Sequence, residues 1–348
     1  MDYIKGRGAQ FNQPNSFLKN QLTIEHIEAI DEPLNLNENT QFFEELPKNI
    51  VNKVESPDLG NTHYINPYQG CEHGCIYCYA RNTHQYWGYS AGLDFETKII
   101  VKKNAPQLLE NYFNKKNYKP HVINIAGNTD CYQPVEKDLR ITRGLLKVFL
   151  KYGNPVGLIT KNSLILRDLD LLKELANDNL MRVMVSVTSM DEGLRRKMEP
   201  RTASYTKRLH VIASLREAGI PTGVMLAPII PGLTNHEIPL IVKNVAEAGA
   251  LKIGYTMVRL NGEVQHLFRD WLVKNFPDKA AKVWNQIAET HGGKVNDSQW
   301  GRRLKGDGAL ADSIKAIFDA SVKKFMAGRE FPEYNLQAFR PGANLKLF

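Results

Sequence analysis

The chain has 348 residues, of which 43% are hydrophobic and 24% charged, and its formal net charge at pH 7 is +8. This composition is typical of a globular protein with a sizeable core, and no apolar run approaches the roughly 18 residues that span a bilayer. The first residues lack the apolar stretch of a secretory signal, so we expect a cytoplasmic protein without a membrane partner. Four cysteines do not make a disulfide scaffold, and in such a compartment clustered cysteines more often bind metal or do chemistry.

The N-terminal residues 1–60 are polar and weakly periodic, which predicts an irregular extension with one short strand at 22–30. From Thr62 onward, short apolar or β-branched segments alternate with longer amphipathic ones, as in parallel strands joined by crossover helices. The predicted strands cover residues 62–66, 97–102, 121–126, 155–160, 181–188, 221–228 and 251–258. The predicted helices between them cover residues 105–114, 138–152, 166–178, 204–219 and 236–249, and Gly219 and Gly249 are expected to end the last two in a left-handed conformation.

Beyond Arg259 the strand pattern stops, and two further helices are predicted at 264–276 and 279–290. About six βα units predict an α/β fold, a partial (β/α)6 barrel of the TIM type, with a doubly wound open sheet as the alternative. We therefore expect an N-terminal extension (1–60), a partial barrel core (61–260) and a helical C-terminal appendage (261–348).

In either fold, chemistry lies at the C-terminal ends of the strands. The residues that follow the predicted strands are unusual here: a cysteine-rich loop follows the first, and the sequence NTDC follows residues 121–126. Lys161 follows the strand at 155–160, and Ser186 lies near the end of the strand at 181–188. One edge of the predicted sheet therefore collects the candidate site residues.

The cysteine-rich loop contains Cys71, Cys75 and Cys78 in the spacing C-x3-C-x2-C. A disulfide would leave one thiol over, and a structural zinc site usually needs four protein ligands. The candidates for a fourth ligand are His63, His73 and Cys131. Three thiolates without an obvious fourth ligand favour an iron–sulfur cluster that leaves one iron open for a substrate or cofactor.

The motif, with Tyr77 before the third cysteine and its place after the first predicted strand, resembles that of the radical S-adenosylmethionine (SAM) enzymes. Other blocks resemble the branch related to spore photoproduct lyase, often labelled DNA-repair-photolyase-like, from the N-terminal GRGAQFNQPNSF to about residue 325. These blocks include INPYQGCEHGCIYCYAR, GLDFETKIIVK, NTDCYQPVE, ITKNSLILRDLDLL, VSVTSMD, RRKMEPRTAS, REAGIPTGVMLAPIIPGLTNHEI and HGGKVNDSQWGRRLKGDG. The resemblance implies that Cys71, Cys75 and Cys78 bind three irons of a [4Fe-4S] cluster, whose fourth iron binds the amino and carboxylate groups of SAM.

The resemblance also implies contacts with SAM. Tyr77 would lie near the adenine, Thr129 and Asp130 would receive the amino group, Lys161 would reach the carboxylate, and Ser186 would contact the ribose. The structural alternatives are a buried core aromatic for Tyr77, an Asx-type turn at Asp130 and a solvated lysine at Lys161.

The chain departs from the lyase at the position of its hydrogen-donating cysteine, where Gly127 stands. Cys131, four residues later, is a candidate replacement donor, with a small semi-buried residue as the alternative. Tyr79, after the third cysteine, is expected to keep part of the lyase's radical relay, whereas Glu199 and Thr202 are expected to be structural. The missing thiol argues against repair of a thymine photoproduct.

Together these features predict a radical SAM enzyme that takes an electron from a donor such as ferredoxin or flavodoxin. It would cleave SAM to methionine and a 5′-deoxyadenosyl radical, which abstracts hydrogen from an unidentified substrate. Net charge and six basic residues favour nucleic acid as that substrate: Arg195, Arg196, Lys197, Arg302, Arg303 and Lys305. The alternative is a non-catalytic, zinc-bound protein that binds nucleic acid or has a structural role.

Overall fold

The computed structural model describes residues 3–17, 39–58 and 60–342, and the short strand predicted at 22–30 lies outside them. The described strands are β1 Gln41–Glu44, β2 Val51–Ser56, β3 Gly60–Ile65, β4 Tyr68–Gln69, β5 Lys98–Val101, β6 Ile123–Ile125, β7 Val156–Thr160, β8 Met181–Val187, β9 Thr222–Ile229 and β10 Lys252–Met257. The described α-helices are α1 Asp94–Thr97, α2 Ala105–Phe113, α3 Glu136–Leu139, α4 Ile141–Tyr152, α5 Leu169–Asn177, α6 Glu192–Met198, α7 Tyr205–Glu217, α8 Ile238–Glu247, α9 Val264–Asn275, α10 Pro277–Glu289 and α11 Ala309–Phe325. Short 3-10 helices occupy Tyr79–Trp87, Ser163–Asp168, Asn235–Glu237 and Leu336–Ala338.

A curled seven-stranded sheet forms a half-barrel with the order β10-β9-β8-β7-β6-β3-β2. Its neighbours pair in parallel from β3 to β10, and only β2 at the edge runs antiparallel, in a hairpin with β3. In β8, Val183, Val185 and Val187 are buried in the main hydrophobic core, so the alternate residues, Ser186 among them, lie on the other face of the sheet. The predicted partial (β/α)6 barrel is confirmed, and the doubly wound open sheet is not formed.

One predicted strand belongs to a different sheet. Residues 97–102 do contain a strand, β5, but it pairs with β1 in parallel and with β4 antiparallel in a separate three-stranded sheet. The barrel therefore goes directly from β3 to β6. The pattern of apolar residues in β5 could not reveal this, because β4 has only two residues and β1 is exposed along its whole length.

The predicted crossover helices all form. The helix predicted at 138–152 is divided into α3 and α4, since Arg140 has a left-handed backbone with φ of 52°. Gly219 and Gly249 have φ values of 75° and 103°, as expected for residues that end helices. Within the described part of the chain, no helix combines the length and the apolar character needed to cross a membrane.

The C-terminal helices pack on the cysteine-rich loop. A second hydrophobic core joins Cys75, Ile76 and Tyr77 to residues of α9 and α10, including the fully buried Trp271. The N-terminal residue Ala9 belongs to the same core. The division at residues 60 and 260 stays a prediction, but side chains from all three parts contribute to one core.

Two C-terminal segments complete the half-barrel. Residues 297–306, the mouth segment, connect its two edges: the N–H of Met257 on β10 donates to Leu304, and the N–H of Gly301 donates to Asp58 in the β2–β3 turn. At the other end of the strands, the ring centroid of Tyr334 lies 3.9 Å from the guanidinium carbon of Arg182 on β8. The open side of the sheet is therefore bridged by side chains and loop backbone.

Candidate active site

The cysteine-rich loop connects β4 to the 3-10 helix at Tyr79–Trp87. Cys71 donates its N–H to the carbonyl oxygen of Phe95 at 2.8 Å, and Ile76 donates to Met198 at 3.0 Å. Cys71 and Cys75 are buried, Cys78 is half-buried, and all three are free thiols. The backbone bonds therefore hold the loop at both ends, with three unpaired thiols within eight residues.

A buried ion pair holds the middle of the loop. Arg81 and Glu96 are both fully buried, and their charged groups lie 2.6 Å apart. Arg81 also donates to the carbonyl oxygens of Gly74 and Cys75, at 3.1 and 2.9 Å. The guanidinium thus holds the backbone at Gly74 and Cys75, which are the second cysteine and the residue before it. The Arg81–Glu96 pair therefore sets the shape of the loop.

The N-terminal segment lies against the same pair. The N–H groups of Gly8 and Ala9 donate to the carboxylate of Glu96 at 3.0 and 2.7 Å. A side chain at position 8 would not fit, since its Cβ would lie 1.8 Å from the carbonyl oxygen of Gly74. Sequence reasoning placed these residues in an irregular extension; the only available signal was the resemblance of GRGAQ to a family block.

The loop after β6 forms the adjoining wall of the site. His73, fully buried, lies with Nδ1 3.4 Å from the carboxylate of Asp130 and Nε2 3.2 Å from the amide of Asn162. Burial lowers the pKa of His73, but Asp130 and Cys71 outweigh it and raise the pKa to about 10. His73 therefore joins the cysteine-rich loop to the ends of β6 and β7.

A second buried carboxylate supports the third cysteine. Tyr77 and Thr188 donate their hydroxyls to Glu199, which pairs with Arg208. Burial raises the pKa of Glu199, but the charges of Arg208 and Lys161 together with these hydrogen bonds lower it to about 2. Glu199 thus has the structural role expected from the sequence.

The family is decided by a match over half of the chain. The model of the Radical SAM superfamily matches residues 65–245, from the end of β3 to α8, and so includes the whole cysteine-rich loop. The chain is a radical SAM protein. Its half-barrel and its loop after the first parallel strand are those of this superfamily.

Curated relatives include two uncharacterised proteins. One, from Mycobacterium tuberculosis, is 32% identical over 244 residues, which cover 69% of this chain and 72% of the relative. The other, from Methanocaldococcus jannaschii, is 28% identical over 253 residues, or 73% of this chain and 90% of the relative. A radical SAM Nalpha-GlyT isomerase of Pseudomonas phage M6 is 26% identical over 183 residues, covering 52% of this chain and 36% of the isomerase.

Among solved structures, spore photoproduct lyase complexed with dinucleoside spore photoproduct superposes with a TM-score of 0.62. The alignment covers 87% of this chain and 86% of the lyase at 15% identity. At that identity the likeness shows the shared fold, including the partial barrel.

The donor set fits the cluster that radical SAM proteins use. Burial raises the pKa of the Cys75 and Cys78 thiols although the charge of Lys161 opposes this, and a bound metal would favour their thiolate form. Among the described residues, no group of three or more His, Cys, Asp or Glu side chains is arranged around a single ion. This is compatible with a cluster, because each cysteine then binds a different iron.

The predicted SAM contacts lie together at the carboxyl edge of the sheet. Thr129 donates its hydroxyl to the carbonyl oxygen of Tyr68 at 2.8 Å. The ammonium of Lys161 makes no hydrogen bond within the described residues and acts on the charges of Cys75 and Cys78. Ser186 is buried at the end of β8, and its hydroxyl is likewise without a hydrogen bond in the described structure.

Asp130 has a fuller set of partners. Its carboxylate accepts from the N–H of Tyr132 at 2.9 Å, the hydroxyl of Thr160 at 2.8 Å and the N–H of Lys161 at 2.7 Å. The first of these bonds forms the Asx-type turn that was the structural alternative. Contact of Asp130 and Tyr77 with SAM stays a prediction. Both side chains also stabilise the site through hydrogen bonds within the protein.

The two residues expected to react lie in different surroundings. Tyr79 is 52% exposed and donates its hydroxyl to the carbonyl oxygen of Gly127. Cys131 is fully buried in the main hydrophobic core, and its carbonyl oxygen accepts from Thr142. A role for Cys131 as hydrogen donor stays a prediction that this location does not favour, since the residue is fully buried among the side chains of the main core.

The basic residues that favoured nucleic acid mostly have partners within the protein. Arg195 is buried and binds the carbonyl oxygens of Glu199 and Thr202. Arg302 pairs with Asp297, Arg303 with Asp58, and Lys305 donates to the carbonyl oxygen of Tyr255 at 2.9 Å. Because these side chains already have partners within the protein, their clustering in the sequence is only weak support for a nucleic-acid-binding surface.

Proposed function

We propose that the protein is a radical SAM enzyme in which Cys71, Cys75 and Cys78 hold a [4Fe-4S] cluster. The carrying observation is the set of three free, largely buried thiols fixed by the Arg81–Glu96 pair at the end of the first parallel strand. When bound, the cluster and SAM supply a 5′-deoxyadenosyl radical that removes hydrogen from an unreactive C–H bond. The chain's own task is to orient SAM and to exclude water from the site.

Four residues are proposed to orient SAM. Lys161 brings a positive charge beside the cluster cysteines, which suits the carboxylate of SAM, and Thr129 keeps the acceptor lone pairs of its hydroxyl available for the amino group. Ser186 offers a buried hydroxyl for the ribose. We assign Tyr77 to the adenine side, where its ring is fixed through the bond to Glu199.

The reaction needs an external one-electron donor, as radical SAM enzymes do, and we propose a ferredoxin or flavodoxin. A nucleic acid is the substrate class we favour. Its support is the net charge of +8 and the ligand of one structurally similar protein, a lyase bound to a dinucleoside photoproduct. Tyr79, exposed beside the cluster loop, is proposed to face this substrate.

The test is anaerobic reconstitution with iron and sulfide, followed by reduction with dithionite in the presence of SAM. We expect a brown protein with absorption near about 400 nm and formation of 5′-deoxyadenosine. Cys71→Ala should abolish both, whereas Cys131→Ala, the matched change at the remaining cysteine, should keep both. A colourless wild-type protein with one zinc ion per chain would contradict the proposal and favour the zinc-bound alternative.

A further inference from the structure

An arginine at the carboxyl edge of the sheet makes no ion pair within the described part of the chain. Arg259 comes two residues after β10 and is half-buried. Its one hydrogen bond within the described chain goes from Nη1 to the carbonyl oxygen of Asp297, at 3.1 Å. The neighbouring carboxylates belong to other cations, because Asp297 pairs with Arg302 and Asp58 with Arg303.

Such an arrangement is unfavourable without a ligand. A half-buried guanidinium loses hydration, and no ion pair compensates for that loss. Burial and the nearby charge of Arg303 lower the pKa of Arg259, and the charges of Asp297, Asp58 and Tyr79 offset only part of this shift. An anion bound beside Arg259 would add a direct ion pair and relieve the repulsion between the two guanidinium groups.

Two exposed rings belong to segments near Arg259: the mouth segment, whose Asp297 accepts its hydrogen bond, and the end of the cysteine-rich loop. Trp300 is 49% exposed, and the guanidinium carbon of Arg303 lies 3.6 Å from its ring centroid. Tyr79 directly follows Cys78 and is near enough to Arg259 for each to affect the charge of the other. A stacked arginine–tryptophan pair presents a flat, positively charged surface on which an unpaired nucleobase stacks well.

The position of these groups connects them to the chemistry. Trp300 and Arg303 belong to the mouth segment, which bridges the open side of the half-barrel. Arg259 donates to Asp297 of that segment and lies near Tyr79, which directly follows Cys78. A ligand that contacts Arg259 would therefore lie close to the cysteine-rich loop.

We propose that Arg259 binds a phosphate of a single-stranded nucleic-acid substrate and that the stacked Trp300–Arg303 pair holds an adjacent base. This subsite places the strand beside Tyr79 and the cluster loop. The proposal rests on the proposed function for its reaction, but the binding itself uses residues outside the cluster and the predicted SAM contacts.

The test is fluorescence anisotropy with labelled 15-nucleotide DNA and RNA single strands on the reconstituted protein with SAM, without oxygen. Arg259→Gln should weaken binding roughly 5- to 20-fold and reduce the slope of log K against log salt by about 1. Trp300→Ala should weaken binding about 5- to 100-fold with little change in that slope. The control for Arg259→Gln is the same substitution at Arg269, whose guanidinium lies over the ring of Trp284 in the appendage; Arg269→Gln should change binding less than about twofold.

Wild-type protein that binds neither strand, or Arg259→Gln that binds like wild type, would overturn the proposal. A nucleoside monophosphate that competes as well as the 15-mer would overturn its strand component and assign the subsite to a free nucleotide. Formation of 5′-deoxyadenosine is measured separately. Protein that cleaves SAM but binds no strand refutes this subsite alone, whereas strand binding without SAM cleavage refutes the proposed reaction.

Discussion

The Arg81–Glu96 pair offers the sharpest test of how the chain holds its cysteines. Glu96→Gln changes one oxygen to an amide nitrogen and removes the negative charge without changing the volume. The carboxylate accepts three hydrogen bonds, from Arg81 at 2.6 Å, Gly8 at 3.0 Å and Ala9 at 2.7 Å. An amide nitrogen cannot accept, so at least one buried donor is left without a partner.

The expected cost follows from burial. Breaking a fully buried ion pair by removing one partner costs about 3–5 kcal/mol, because the remaining charge is left uncompensated. A buried N–H left without an acceptor costs about 1–3 kcal/mol, but this overlaps with the first effect and is not added to it. A loss of about 3–5 kcal/mol is a large part of the roughly 5–15 kcal/mol that stabilises most domains.

The assay is urea unfolding of the apoprotein together with iron content after reconstitution. We expect the midpoint to fall by at least about 1 M and the iron content to drop well below the roughly four atoms per chain of the wild type. Glu44→Gln is the matched control, because it breaks an exposed pair with Lys103 and should cost less than about 1 kcal/mol. If Glu96→Gln loses no more stability than this control and binds iron fully, the reasoning is wrong.

Three further changes test other parts of the site. Gly127→Ala should cost about 1–3 kcal/mol, since its Cβ would lie 2.3 Å from the ring of Tyr64, and Tyr64→Leu should remove most of that cost in a double-mutant cycle followed by urea unfolding. Burial lowers the pKa of His84 to about 4 from 6.5, so the unfolded chain binds a proton more readily between these values. Stability should therefore fall by up to about 3 kcal/mol as pH drops from 6.5 to 4, and in His84→Phe this part of the pH dependence should be missing from denaturation curves. Lys161→Ala should weaken SAM binding about tenfold in calorimetry of the reconstituted protein, with unfolding unchanged within about 1 kcal/mol.

Each of these three predictions has an outcome that would contradict it. An additive double-mutant cycle would show that Tyr64 does not restrict position 127. An unchanged pH profile in His84→Phe would show that another group titrates between pH 4 and 6.5. Equal SAM affinity in Lys161→Ala would remove that lysine from the proposed binding site.

Local patterns in the sequence were enough for the barrel and for the position of the three cysteines in one loop after its first parallel strand. Parallel strands that are covered on both faces have nearly continuous apolar runs, so the sequence indicates β7 to β10 without any knowledge of their neighbours. The cysteine spacing and its place after a strand both lie within one short segment. The rule that parallel strands end at a common edge then brought Lys161 and Ser186 to the same side as the cysteines.

Contacts between distant segments could not be predicted in this way. The pairing of β5 with β1, the bonds of Gly8 to Glu96 across 88 positions, and the pairing of Arg303 with Asp58 across 245 positions leave no periodic pattern. For the same reason, the sequence does not indicate that Arg302 and Arg303 pair with carboxylates of the protein. Of these three arginines, only Arg259, which is isolated in the sequence, has no carboxylate partner in the described structure.

The contacts across the mouth also bear on the order in which the protein assembles during synthesis. The bonds of Gly301 and Arg303 to the β2–β3 hairpin span 243 to 247 positions, so they form only after most of the chain has left the ribosome. The polar and ionic contacts that shape the cysteine-rich loop involve residues no later than about position 201. The proposed cluster can therefore be inserted before the contacts of Gly301 and Arg303 close the mouth of the barrel.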